Sequence, residues 1–258
     1  MSYLIDVQGT LIDDENKKPI EGAIDFINAL NQAKIPYVVV TNNTKLTSEA
    51  FYKFLVDLGF DIPKENYLDP FMSLEKILNT HETLCFGADE FLHVMTTLGY
   101  ELQAKKPKAV VIASKKDFSA DEYALMIESV LDGARLVGMH ATSIYKKDKR
   151  RYPGVGAILE MVSYATGAKY EVVGKPSSLF YAQAKELLKS QGWIPSQGKP
   201  IMISDDAIGD LVGAKQEDIK TILVLSGKCK TEKEVLHVRT MLDCIVPSIK
   251  DVKVTKNG

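Results

Sequence analysis

The chain has 258 residues, of which 45% are hydrophobic and 26% charged, with a formal net charge of −2. That length and apolar fraction can bury a full core and point to two lobes rather than one. A near-neutral charge leaves no electrostatic footprint for nucleic acid or an anionic membrane, and no apolar run approaches the roughly 20 residues that cross a bilayer. The N-terminus has no basic segment leading into an apolar stretch and a small-residue cleavage site, so the expected location is the cytoplasm. Cys85, Cys229 and Cys244 are odd in number and widely spaced, which argues against a disulfide framework or a zinc site. Cys85 and Cys244 sit in apolar runs and are expected in the core. His81, His93, His140 and His237 lack metal-binding spacing and are expected as surface or packing residues.

In chain order, the apolar run Tyr3-Leu4-Ile5 leads as a short strand into Asp6-Val7-Gln8-Gly9-Thr10-Leu11, so a carboxylate is presented where a strand leaves the sheet into a tight turn. Helical spacing follows at Ile20, Ile24, Ile27 and Leu30, then a β-branched run over 37–40 ending in Thr41-Asn42-Asn43. A second helical spacing comes at Phe51, Phe54, Leu55 and Leu58. Further strand-like runs cover 83–87, 109–113, 170–174, 200–204, 221–225 and 244–246. Ser119 with Glu122 and Thr231 with Glu234 read as capping boxes opening helices, and Gly133 as the stop of the first. Strands alternating with helices predict an α/β, doubly wound parallel sheet. In such a sheet ligands bind beyond the carboxyl ends of the strands, where Asp6, Thr41, Lys175 and Asp205 all fall on this assignment.

Four strings in sequence order resemble the motifs of the haloacid dehalogenase-like (HAD) phosphatases. Asp6-Val7-Gln8-Gly9-Thr10-Leu11 resembles the first, with Gln8 where that motif has its second Asp. Thr41-Asn42-Asn43 resembles the second, Val173-Gly174-Lys175-Pro176 the third, and Ser204-Asp205-Asp206-Ala207-Ile208-Gly209-Asp210 the fourth, with Ser204 in place of a Gly. Pro19-Ile20-Glu21-Gly22-Ala23, Val-Gly-Lys-Pro-Ser and Leu225-Ser226-Gly227 are similar to the NagD-type and p-nitrophenylphosphatase-like branch, and the likeness covers nearly the whole chain.

The resemblance implies a Rossmann-like HAD core over 1–80 plus 174–258, with a second, smaller α/β cap over 81–173. It implies Asp6 as nucleophile toward a small phosphate ester or phosphate ion, forming an aspartyl-phosphate. Lys175, Thr41, Asn42 and the Val7, Gly9 and Thr10 main chain would hold the phosphoryl group. Mg²⁺ would be held by Asp6, the Gln8 carbonyl, Asp205, and Asp210 or the adjacent Asp206. Neither nucleic acid nor membrane is implied as a partner, and assembly into a homo-oligomer is left open. Gln8 removes the group that would pass a proton to the leaving group and activate water, because an amide exchanges no proton usefully at neutral pH. Three outcomes follow: a phosphatase with low or substrate-restricted turnover, a phosphate-ligand-binding or regulatory protein, or a persistent phospho-aspartyl carrier. In the middle of the chain, His140-Ala141-Thr142 stands where the family often has Asn-Pro-Asp. The cations Lys146, Lys147, Lys149, Arg150 and Arg151 are read first as a solvated loop and second as an attractor of anionic substrate.

Overall fold

The computed structural model describes residues 1–147 and 150–254. The strands are β1 (Tyr3–Asp6), β2 (Tyr37–Val40), β3 (Tyr67–Leu68), β4 (Thr83–Phe86), β5 (Ala109–Ile112), β6 (Arg135–Gly138), β7 (Ile144–Lys147), β8 (Arg150–Pro153), β9 (Tyr170–Val172), β10 (Ile201–Ser204), β11 (Lys220–Val224) and β12 (Cys244–Val246). The α-helices are α1 (Ala23–Ala33), α2 (Ser48–Asp57), α3 (Pro70–Ile77), α4 (Asp89–Thr97), α5 (Ala120–Leu131), α6 (Val155–Thr166), α7 (Ser178–Ser190) and α8 (Val212–Gln216). Among the described residues no helix is long and apolar enough to cross a membrane.

Two compact units result: Met1–Thr41, Ala50–Leu68 and Phe180–Gly258 form the first, and Asn42–Glu49 with Asp69–Leu179 the second. The first is built on a sheet in the order β12-β11-β10-β1-β2-β3, parallel at every pairing. All four residues of β1 and of β2 are buried, as near-continuous apolar strands must be when helices cover both faces of a sheet. The chain goes from β1 to β2 and β3 on one side, then returns to fill β10, β11 and β12 on the other. The order therefore reverses between β1 and β10. Register pairs Ile5 with Val39 and with Ile203, so the residues after β1, β2 and β10 emerge together at the carboxyl edge beside that reversal.

The second unit carries a parallel four-stranded sheet in the order β4-β5-β6-β9. Alternation along its strands divides two cores. Cys85, Val111, Val137 and Val173 pack with Phe71 and Leu74 of α3 and Phe91, Val94 and Met95 of α4. Leu84, Phe86, Val110, Ile112 and Leu136 pack with Met126 and Val130 of α5 and Ile158, Leu159 and Val162 of α6. The packing places 42–49, 69–80 and 174–179 with this unit, because α3 and Leu78 contribute to the first of those cores.

Several expectations change. Strand β6 did not stand out in the sequence, since Leu136-Val137 is a two-residue apolar core between Arg135 and a glycine. A Cβ at Gly138 would press on the Leu159 side chain of α6. The basic run is no plain loop: β7 and β8 pair antiparallel, Tyr145 opposite Tyr152 and Lys146 opposite Arg151. Lys149 lies outside the described residues. Thr231 and Glu234 do form a capping box, but the segment Glu232–Met241 winds as 3₁₀ helix. Ser119 and Glu122 cap α5, and Gly133 follows its end at φ 99°. Cys85 is buried, whereas Cys244 is exposed because β12 is an edge strand with its Cys244 face uncovered.

Candidate active site

Asp6 ends β1 and remains only 5% exposed. The chain then turns through Gly9 at φ 75°, a left-handed conformation that favours glycine. Hydrogen bonds close this turn on itself: Gly9 N–H donates to the Ile12 carbonyl at 2.8 Å, Thr10 N–H to the Val7 carbonyl at 3.3 Å and Leu11 N–H to the same carbonyl at 2.8 Å. The Gly9 and Thr10 amides, expected to face a phosphate, are therefore engaged inside the turn. Thr10 instead contributes its hydroxyl, which donates to Asp6 Oδ2 at 3.4 Å. Thr41, fully buried after β2, donates its hydroxyl to Gln8 Oε1 at 2.9 Å. Gln8 and Thr41 thus meet directly, a coupling the separate motifs did not show.

Beyond β10, Asp205 and Asp210 are each 4% exposed. Ser204 donates its hydroxyl to Asp210 Oδ2 at 2.7 Å and accepts from Asp206 N–H at 3.1 Å, so the serine standing in for a glycine organises the turn. The Asp206 carboxylate is occupied on both oxygens, by Gly209 N–H at 2.8 Å and by the Lys228 ammonium at 2.5 Å. Asp206 thus caps the helical turn that follows, while Asp210 takes the Ser204 hydroxyl. Asp205 is wedged between two glycines, since a Cβ at Gly9 or at Gly227 would overlap its carboxylate. Its Oδ2 accepts the Lys228 amide proton. Lys228 escaped the sequence reading. The signal was Gly-Lys just after β11, the neighbour of β10, noticed only as a branch mark.

The electrostatics follow from this crowding. Burial pushes the Asp205 carboxyl well above the usual carboxylate range, and the neighbouring Asp6, Asp206 and Asp210 push it further, against the Lys228 amide. Burial would lower the Lys228 ammonium, but the Asp206 carboxylate more than offsets this and raises it. The buried Tyr181 hydroxyl, which donates to the Asp210 carbonyl at 2.8 Å, is held far above its ordinary value by burial and then by Asp210 and Asp6. Such mutual repulsion among buried acids is what an added cation would relieve. Among the described residues no group of three or more His, Cys, Asp and Glu is arranged as a ready-made metal cage. Mg²⁺ needs no such cage: it binds through one or two carboxylates and keeps waters, so the buried Asp6 and Asp205 carboxylates, with Asp6 close enough to raise Asp205, suit its hard-oxygen chemistry.

Lys175 and Asn42 belong to the second unit. Lys175 follows β9 and so leaves the four-stranded sheet, which corrects its expected place on the same sheet edge as Asp6. It is 1% exposed, and its peptide is clamped by one side chain: Lys175 N–H donates to Asn42 Oδ1 at 2.8 Å and Asn42 Nδ2 donates to the Lys175 carbonyl at 3.3 Å. Gly174 is required beside them, because a Cβ there would meet Asn42 Oδ1 at 2.6 Å. The motif asparagine thus works as a fastener for the motif lysine. Of the expected site residues, Asp6, Gln8, Thr41, Asp205 and Asp210 belong to the first unit, where Thr41 bonds Gln8 and the charges of Asp6 and Asp210 act on Asp205. Lys175 and Asn42 meet through the second.

The fold is an α/β parallel sheet with buried acids at its carboxyl edge, and comparison with known proteins says which family builds that arrangement. The family described as Haloacid dehalogenase-like hydrolase matches residues 3–101, and the one described as HAD-hydrolase-like matches residues 172–252. The chain is 30% identical over 249 residues to Haloacid dehalogenase-like hydrolase domain-containing protein 2 of Rattus norvegicus, covering 94% of this chain and 91% of the rat protein. It is 24% identical to the 5′-nucleotidase YutF of Bacillus subtilis, covering 89% of each. The chain belongs to the haloacid dehalogenase-like hydrolases. Its fold is that of the NagD-type branch: p-nitrophenyl phosphatase from Archaeoglobus fulgidus superposes with TM-score 0.78 at 20% identity over 97% of both chains, and NagD from E. coli K-12 with TM-score 0.74 at 20% identity over 98% and 99%.

Proposed function

We propose that the protein is a Mg²⁺-dependent phosphatase of small phosphate esters, working in the cytoplasm through Asp6 with turnover limited by Gln8. The observation that carries this reading is the buried Asp6 carboxylate at the order reversal of the sheet, with the Thr10 hydroxyl on one oxygen and Asp205 close enough to feel its charge. Phosphoryl cleavage is supported by the names of relatives: one is called a 5′-nucleotidase, and another, 28% identical, a phospholysine phosphohistidine inorganic pyrophosphate phosphatase from Xenopus laevis. The first name describes a phosphate ester, and the second describes P–N and anhydride phosphoryl groups.

In this mechanism an Asp6 oxygen attacks phosphorus in line, the bond from phosphorus to the leaving oxygen breaks, and the electron pair departs with that oxygen. Asp6, the Gln8 carbonyl, Asp205 and Asp210 would hold Mg²⁺, which supplies charge neutralisation to the phosphoryl oxygens. Lys175 and Thr41 add an ammonium and a hydroxyl for the same purpose. Water then cleaves the aspartyl-phosphate and restores Asp6. Gln8 can hydrogen-bond to the leaving group and to that water but passes no proton to either. Good leaving groups such as aryl or acyl phosphates therefore suit the site best, and each step lacking acid–base help runs about 10²- to 10⁴-fold slower than with it. On this reading residues 81–173 carry the cap role that the family resemblance implies.

A second reading has its own support in the Thr41–Gln8 hydrogen bond, which ties the proton-inert amide to a phosphate-binding hydroxyl. On that reading the site binds a phosphate ligand, or stays phosphorylated on Asp6, without turning over. Steady-state phosphate release from p-nitrophenyl phosphate and acetyl phosphate, with and without Mg²⁺, decides between them. Release that Asp6→Asn abolishes supports the phosphatase, and a stable mass gain on Asp6 without release supports the carrier.

A further inference from the structure

The second unit holds a cavity of about 760 Å³ at the amino edge of its parallel sheet, where the chain enters β5 and β6. One wall is the segment that leads into β5. Residues 101–104 run antiparallel along β4, with Cys85 N–H donating to the Leu102 carbonyl at 2.9 Å and Ala104 N–H to the Thr83 carbonyl at 3.0 Å. Lys108 N–H then donates to the Glu82 carbonyl at 2.8 Å, so the turn that carries Lys105, Lys106 and Lys108 is pinned at both ends. The other wall is the end of α5, where Glu128, Ser129 and Asp132 line the cavity. Leu84 of β4 and Leu125 of α5 add apolar surface.

The electrostatics of the α5 wall are incomplete. Glu128 and Asp132 stand at the carboxyl end of a helix whose last turn holds no basic residue, where the helix dipole already presents partial negative charge and favours a cation. The three lysines could supply that cation, yet among the described residues none of these five charged groups takes part in an ion pair. Opposite charges therefore line one cavity without meeting across it. Ser129 is 8% exposed, lines the same cavity and makes no side-chain hydrogen bond among the described residues. A buried hydroxyl left in this state is unfavourable until an acceptor reaches it. Departures of this kind from local consistency gather at functional sites.

We propose that this cavity binds a small dipolar ligand, its anionic end at Lys105, Lys106 and Lys108 and its cationic end at Glu128 and Asp132, with the chemistry of a two- or three-residue peptide with free termini. An apolar side chain of the peptide would lie against Leu84 and Leu125, and a peptide carbonyl would accept the Ser129 proton. A single amino acid is too short, because both of its charges sit on one carbon, whereas each further residue sets the termini about 3.3–3.6 Å further apart. Cavities of roughly 300–1,000 Å³ are the usual size for small-molecule sites. The site lies wholly within the second unit and is independent of whether Asp6 turns over.

Calorimetric titration of the full chain with the tripeptide Ala-Leu-Ala tests this, beside the same tripeptide acetylated at its N-terminus, the same tripeptide amidated at its C-terminus, and free leucine. Wild type should bind the unblocked tripeptide, and each blocked form should bind about threefold to tenfold more weakly, the range for one or two partly exposed charge pairs. Leucine should bind more weakly than the tripeptide. Glu128→Gln combined with Asp132→Asn should weaken the unblocked tripeptide by the same factor and leave the acetylated form unchanged, since the ammonium those acids serve is already gone. Lys105→Gln, Lys106→Gln and Lys108→Gln together should do the same for the unblocked and amidated forms. Ser129→Ala should weaken all three tripeptides alike. The comparison of blocked and unblocked peptides on wild type needs no variant to fold. No binding of Ala-Leu-Ala by wild type, equal binding of the blocked forms, or charge variants that bind every peptide as wild type does overturns the proposal.

Discussion

The two parallel sheets of this protein end in edges of opposite character. Beyond β1 and β10 the first unit buries Asp6, Asp205 and Asp210, with Lys228 committed to Asp206. Beyond β5, β6 and β9 the second unit places Ser114, His140 and Lys175, and no carboxylate is among them. The same strand geometry therefore gathers carboxylates at one edge and a hydroxyl, an imidazole and an ammonium at the other. Topology supplies the location, and the first one or two residues after each strand supply the chemistry.

The largest effect that tests this contrast is loss of the nucleophile. Asp6→Asn is nearly isosteric, keeps an acceptor for Thr10, and should abolish Mg²⁺-dependent phosphate release entirely. Residual release at the wild-type rate would mean that the acidic edge is not where the chemistry occurs. Next in size is Gln8→Asp, which supplies a proton-transfer group beside Thr41 and should raise turnover of alkyl phosphates by about 10²- to 10⁴-fold, with a smaller gain for p-nitrophenyl phosphate. Equal gains for both esters would show that protonation of the leaving group is not the missing element.

Much of the acidic edge was legible in the sequence, and less of the other. Asp6, Thr41 and Asp205 each end or follow a short apolar run in a central strand, and burial on both faces makes such strands easy to read. β6 was not legible, since Leu136-Val137 is too short to show a period, and its loss hid the relation of His140 to Ser114. Lys175 was read correctly as a strand-end residue but assigned to the wrong sheet, because periodicity identifies strands without saying which partners they take. Lys228 was hidden for another reason: its role depends on β11 lying beside β10, a fact of sheet order and not of local pattern.

A smaller effect tests the close approach that shapes the acidic edge. Gly227→Ala would place a methyl group on the Asp205 carboxylate, where the nearest alternatives are the Gly9 main chain and the buried turn. Overpacking of this kind costs about 1–3 kcal/mol, so thermal unfolding should move down measurably and phosphate release should fall with it. The matched substitution in the second unit, Gly138→Ala against the Leu159 side chain, should lower stability while sparing Mg²⁺ affinity. Equal effects of both on Mg²⁺ affinity, read by calorimetry, would erase the distinction between the edges.

The smallest predicted effect is a pH dependence, and its sign follows from the crowding of acids. Burial, with Asp6, Asp206 and Asp210 added, raises the folded-state Asp205 carboxyl above its unfolded value near 4. A carboxyl raised in this way contributes stability that is fully present below the unfolded value and lost as pH climbs through the folded one. Metal-free wild type should therefore lose stability relative to Asp205→Asn as pH rises from 4 into the neutral range, read as a falling Tm relative to the variant. Mg²⁺ should return the loss in wild type and do little for Asp205→Asn, since a bound cation neutralises the same charge that the substitution removes. A difference between the two proteins that stays flat with pH would show that Asp205 is not held among like charges. The case for a cation at that edge would then need another source.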